Sequence, residues 1–144
     1  MVQNTDFIGS LDSNPYKFQH YDISDFSLFV NGKHFANEGL SLGMDHEKTS
    51  GMGYRTLFDA SGLHHSKSGL HITHDMYIKG YFMLFFDLTP DRSASEVHTY
   101  HHKNGNIRIK LKYKPLPEAI TCQLYLEFDN SVLVDFVRTV TTDF

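Results

Sequence analysis

Apolar and polar residues alternate most regularly over 107–114, where Ile107, Ile109, Leu111 and Tyr113 interleave with Arg108, Lys110, Lys112 and Lys114. A period of two predicts a strand with one apolar and one basic face. Pro115 and Pro117 end it. A second β-like stretch runs over 18–30, with Phe26, Leu28 and Val30 on one face. Asn31-Gly32 follows, and this pair favours a tight hairpin because a type I′ turn needs positive φ at both central residues. Residues 33–36 are the expected return strand. The nearly continuous apolar run Tyr81-Phe82-Met83-Leu84-Phe85-Phe86 predicts a buried strand over 77–88, closed by Thr89-Pro90-Asp91. Two further strands are expected over 120–128 and 132–140, with Asp129-Asn130-Ser131 as the turn between them.

Between these segments the punctuation is polar. Residues 9–16 are turn-rich, and Asn14 before Pro15 is biased to an extended backbone. Thr49 and Ser50 can cap one short helix near 50–60 through Tyr54, Leu57 and Phe58, ending at Ser61-Gly62. Asn104-Gly105 marks another turn. Many short strands, frequent turns and a single helix indicate an all-β antiparallel sandwich. Pattern alone leaves jelly-roll, immunoglobulin-like and other Greek-key orders open.

A length of 144 residues suits one domain with a real core. Twelve Phe and eight Tyr suit strands and contact surfaces. The formal net charge of −4 argues against a general nucleic-acid binder. A single cysteine, Cys122, excludes an internal disulfide framework and a multi-cysteine zinc site. It lies in an apolar stretch and is expected to be a buried small side chain. Met1 to Ser10 carries neither a basic nor an apolar signal region, so the chain is not expected to be secreted. The longest apolar run is too short to span a bilayer.

The candidate chemistry is thin. Ten histidines stand out, among them His64, His65, His71, His74, His98, His101 and His102. If extended, His71 and His74 point to opposite strand faces, as do His101 and His102, so the spacing is poor for one metal ion. Glu96 and His98 would share a face, but no cupin-type ligand run is present. The plainer expectation is surface histidines that titrate near neutrality. The carboxylates Asp22, Asp25, Asp59, Asp87, Glu127 and Asp135 are scattered, which suits turns and solvated pairs. No nucleophile elbow or P-loop occurs. The reading is therefore non-enzymatic, with no catalytic, cofactor-binding or metal residue and no cofactor. The basic face at Arg108, Lys110, Lys112 and Lys114 suits an acidic partner or nucleic acid, or simply a lysine-protected edge. Tyr54, Phe58 and Tyr100 are candidate contact aromatics, although Phe58 equally suits a cap on one end of the sandwich.

Four segments carry a resemblance. They are Asn14-Pro15-Tyr16-Lys17-Phe18-Gln19-His20-Tyr21-Asp22 with Phe29-Val30-Asn31-Gly32; Gly80-Tyr81-Phe82-Met83-Leu84-Phe85-Phe86-Asp87-Leu88-Thr89-Pro90-Asp91; Gly105-Asn106-Ile107-Arg108-Ile109-Lys110-Leu111-Lys112; and Leu124-Tyr125-Leu126-Glu127-Phe128-Asp129-Asn130 running to Arg138-Thr139-Val140-Thr141-Thr142-Asp143-Phe144. In this order they resemble the double jelly-roll major capsid proteins of Polinton (Maverick) elements and adintovirus-like viruses, specifically the second roll. The resemblance implies one jelly-roll domain over 1–144, with 1–8 a divergent or truncated lead-in that replaces a leading strand or strands.

It also implies a structural role in a virion or inside the cell. Expected partners are further copies of the chain in a trimeric capsomer, the absent first jelly roll, or other capsid proteins. No specific nucleic acid is implied. The alternatives are a host-retained module that binds capsid proteins, and a cupin- or lectin-type jelly roll acting as an enzyme or sugar binder.

Overall fold

The computed structural model describes residues 1–9, 11–35, 39–42, 50–63, 69–91, 93, 105–116, 118–127 and 132–142. Regular structure within them is mostly antiparallel strands with a few short helices, compatible with a β-sandwich. The centre is β2 (Ile23–Val30). Along one edge it pairs with β5 (Ile107–Tyr113) over nearly its whole length. Its other edge carries β3 (Lys33–His34) at one end and β4 (Leu40–Ser41) at the other.

The alternation read at 107–113 is the alternation of β5: Ile107, Ile109 and Leu111 pack on the core while Arg108, Lys110 and Lys112 stay exposed. The β2–β3 turn is the one its sequence demands, with φ of 52° at Asn31 and 79° at Gly32. The Asn31 side chain then accepts from Asn106 N at 2.9 Å, and Asn31 N donates to Asn106 O at 2.9 Å. One turn thus serves two connections. The β3 strand is shorter than the expected 33–36, since Phe35 is already in a turn and Ala36 lies outside the described residues.

Helix α2 (Ser50–Ala60) occupies the expected span, with Gly62 at φ 67° just beyond it. It is not the only helix. Residues 77–80, expected in a strand, belong to α3 (His74–Gly80). Thr73 caps this helix by accepting from Met76 N at 3.2 Å, and Asp75 and Lys79 form an i,i+4 pair at 2.9 Å. These local signals outweigh the apolar run, which by itself does not separate a short helix from a strand.

Beyond α3, residues 81–88 form no regular strand. Tyr81 makes one isolated parallel bridge with Phe18, and the backbone N–H of Phe85 donates to Thr56 Oγ1 at 3.3 Å. Thr56 is buried and donates in turn to Gly53 O at 2.7 Å, which ties this segment to α2.

Residues 2–8, to which the sequence assigned no element, form β1 (Val2–Gln3) and α1 (Asn4–Ile8). The first of these pairs antiparallel with β6 (Ile120–Thr121), Val2 opposite Thr121. Thr121 Oγ1 also donates to Asn4 Oδ1 at 3.0 Å. Only these two residues of the expected 120–128 strand are paired among the described residues. The expected single strand over 132–140 is a hairpin of β7 (Val132–Val134) and β8 (Val140–Thr142).

The core lies between the apolar face of the β2–β5 ladder and the two longer helices. Ile23, Phe26, Leu28, Leu42, Leu57, Tyr77 and Phe82 form one buried cluster. Phe26 stacks on Phe86 with centroids 5.0 Å apart and planes within 7°. Phe35 meets the same ring edge-on at 6.3 Å.

Candidate interaction surface

Burial separates two parts of the chain. Residues from β2 to β5 supply most of the buried core. The end of the chain does not: every described residue from 122 to 127 is exposed. Within that stretch Leu124 is 60 % and Tyr125 84 % accessible. Cys122 is exposed too, which corrects the expectation of a buried thiol. The physical reason is that the stretch after β6 has no described element over it, so its apolar pattern never finds a core.

The β7–β8 hairpin is the clearest uncovered element. No other described helix or strand comes against it. Its turn is organised by Asp135, whose Oδ1 accepts from Val137 N at 2.7 Å and Thr139 N at 3.0 Å. Asp135 also exchanges backbone bonds across the turn: its N–H donates to Thr139 O and its carbonyl accepts from Arg138 N. Arg138 sits at φ 65°, where glycine is the usual residue. This is the arrangement of a three-residue hairpin loop with a left-handed closing residue. It displays Phe136, 99 % accessible, and Val137 at the tip. Val134 and Val140, opposite one another on the strands, are exposed as well.

Holding arginine in the left-handed region costs about 1 kcal/mol. Arg138→Gly is therefore expected to slow amide exchange at Asp135 and Thr139 about fivefold. Unchanged exchange would mean that the loop is not held in this form.

At the other end of the chain, Phe7 and Ile8 on α1, and Leu11 and Tyr16 after it, are exposed. Asp6 on α1 and Glu118 just before β6 lie near Tyr21, whose pKa is pushed upward by partial burial and then by these two carboxylates. Tyr16, Lys17, Lys79, Gly80, Tyr81 and Asn14 line a shallow cleft of about 240 Å³.

Of the aromatics expected to make contacts, Tyr54 and Phe58 do not lie on this surface. Tyr54 is on α2, half-buried, with its ring against Phe58 at 5.2 Å, His74 at 5.3 Å and Tyr77 at 5.5 Å. Its hydroxyl donates to Ile72 O at 2.7 Å. Phe58 is half-buried as well. Tyr100 lies outside the described residues.

The histidines also divide. His64, His65, His98, His101 and His102, with Glu96, lie outside the described residues. His74 opens α3 and His71 precedes it, so the two do not share a strand as the spacing argument assumed. Among the described residues no three His, Cys, Asp or Glu side chains converge as a metal site. Most of the noted carboxylates have local roles. Asp22 faces His20 at 3.5 Å, Asp25 faces Lys112 at 3.4 Å and Asp59 faces Arg55 at 3.2 Å. Asp87 accepts from Thr89 N and Oγ1, and Asp135 from its own turn. Glu127 is exposed. No helix among the described residues is long and apolar enough to cross a membrane.

No family model matches the chain, and no solved structure matches it. An uncharacterized protein of Caenorhabditis elegans, F54H12.2, is 25% identical over 150 residues, covering 99% of this chain and 35% of that protein. The chain thus spans about a third of the length of the curated relative it matches.

Proposed function

We propose that this chain is a non-enzymatic structural domain that works by self-association, corresponding to the second jelly roll of a double jelly-roll major capsid protein of Polinton type. Its place would be a virion or the cell interior during assembly. The observation that carries the reading is the uncovered apolar surface at the hairpin tip and along 122–127. Exposed apolar side chains of this size favour a covering partner, because apolar area removed from water is worth about 25 cal/mol per Å². A partner that covers Phe136, Val137 and Tyr125 recovers that free energy, and Phe and Tyr are the residue types enriched in interface centres. The resemblance of the four segments to that capsid family supports further copies of the same fold, arranged as trimers, as the partner.

Light scattering coupled to size exclusion tests this on the chain alone and mixed with a full-length two-roll relative. A trimer, or co-elution with the relative, is expected. Phe136→Glu is expected to weaken that association at least tenfold while leaving the far-UV circular dichroism unchanged. A folded monomer that ignores the relative at high concentration would overturn the proposal.

A further inference from the structure

The outer face of the β2–β5 ladder differs in sign from the rest of the molecule. The chain has a formal net charge of −4. On this face β5 presents Arg108, Lys110 and Lys112, all exposed, and β2 sets Phe29, Ser27 and Asp25 opposite them. Asp25, 3.4 Å from Lys112, is the one carboxylate among these paired residues. Lys110 stands opposite Ser27 and has no carboxylate within ion-pair distance among the described residues.

The aromatic component is built in rather than incidental. The Arg108 guanidinium carbon lies 4.2 Å from the Phe29 ring centroid. His34, opposite Phe29 on β3, holds its ring 4.1 Å away. One end of the face therefore combines a cation, an aromatic ring and an imidazole, and the other end carries two lysines.

Side chains on alternate residues of a strand lie about 6.8 Å apart. That repeat is close to the spacing of successive phosphates on an extended single strand of nucleic acid. A rigid row of cations at that repeat, beside an aromatic, is the combination that binds single strands without reading sequence. A row made only to protect a sheet edge has the same repeat but needs no Phe29–Arg108–His34 cluster.

We propose that this face binds the phosphate backbone of a single-stranded nucleic acid, RNA or DNA, without base specificity. The contact is separate from the apolar surface used for assembly, so a monomer that binds nucleic acid and an assembly that does not are distinguishable results.

Fluorescence anisotropy of a labelled oligothymidylate with the full chain is the test, repeated with an oligouridylate to compare DNA with RNA. Binding is expected at 50 mM salt, weakening roughly 20-fold at 200 mM, as three phosphate contacts on a single strand require. Replacing Arg108, Lys110 and Lys112 together by Gln is expected to abolish both the binding and its salt dependence. Lys110→Glu alone, at an exposed position opposite Ser27, is expected to weaken binding at least fivefold with no change in thermal midpoint. Three results would overturn the proposal: no binding at 50 mM salt, undiminished binding by the variants, or displacement by polyglutamate at equal charge. The last would assign the face to an acidic protein segment instead.

Discussion

Tyr77→Ala is expected to lower stability by about 3–5 kcal/mol, the cost of removing a large buried side chain from a core that relaxes only in part. Tyr77 is fully buried in the central cluster, with its ring 5.3 Å from Phe82 and 5.5 Å from Tyr54. Its hydroxyl is buried without a hydrogen-bond partner among the described residues, and burial pushes its pKa upward. Tyr77→Phe should therefore act in the opposite direction, stabilising by up to about 1 kcal/mol, because an unsatisfied buried hydroxyl is itself a cost. A methyl at Gly53 would lie 2.7 Å from this oxygen and 3.0 Å from Leu42 Cδ2. Gly53→Ala, which on helix propensity alone would gain about 1 kcal/mol, is expected to destabilise the native chain and to cost less in the Tyr77→Phe background, where only the close Leu42 contact remains. Urea midpoints on the four variants would measure that non-additivity. Strictly additive effects would show that the hydroxyl does not occupy the space beside Gly53.

Phe26→Ala is expected to cost a similar amount, about 3–5 kcal/mol. Phe26 lies between two elements that hold different parts of the chain. On β2 it is opposite Leu111 of β5, and its ring stacks on Phe86 from the segment after α3. Phe26→Leu keeps apolar volume but loses the stacking, so a smaller cost of about 1 to 2 kcal/mol is expected. If the two substitutions cost the same, the stacking with Phe86 carries the site and retained apolar area contributes little; a Phe26→Leu cost near zero would mean the reverse. Loss of Phe26 should also loosen the β2–β5 ladder and with it the row of Arg108, Lys110 and Lys112. Weaker oligothymidylate binding by Phe26→Ala would connect core packing to that face.

The limits of legibility follow from where each signal resides. Helix α2 was readable because Ser50, Leu57 and Gly62 mark its start, buried face and end within one short window. The segment 77–88 was misread because its apolar run hid a capped helix: Thr73 and the Asp75–Lys79 pair decide α3, and they lie mostly upstream of the run. The hairpin at 132–142 was misread for a different reason. Its turn has no Gly or Pro, and Arg138 takes the left-handed position because Asp135 satisfies two N–H groups of the loop. Such a turn looks like a continuous strand in a hydropathy pattern. The candidate surface was only partly legible. Exposure of Cys122, Tyr125 and Phe136 is a statement about what does not cover them, and no local pattern encodes that.

By itself, the amino-acid sequence determined those features whose energetics are local. They are the Asn31-Gly32 turn, the two-faced alternation of β5, the helix near 50–60 and the general preference for short antiparallel strands. Backbone dihedral preferences and side-chain periodicity act over a few residues, so they can be read directly. Only the tertiary structure decided which apolar residues are core and which are surface. It also decided that β1 meets β6 across more than a hundred positions, and that the cations of β5 face residues of β2 carrying a single carboxylate. Burial and charge are properties of neighbours brought together by long-range pairing, and the same Phe or Lys has a different role according to what that pairing sets beside it.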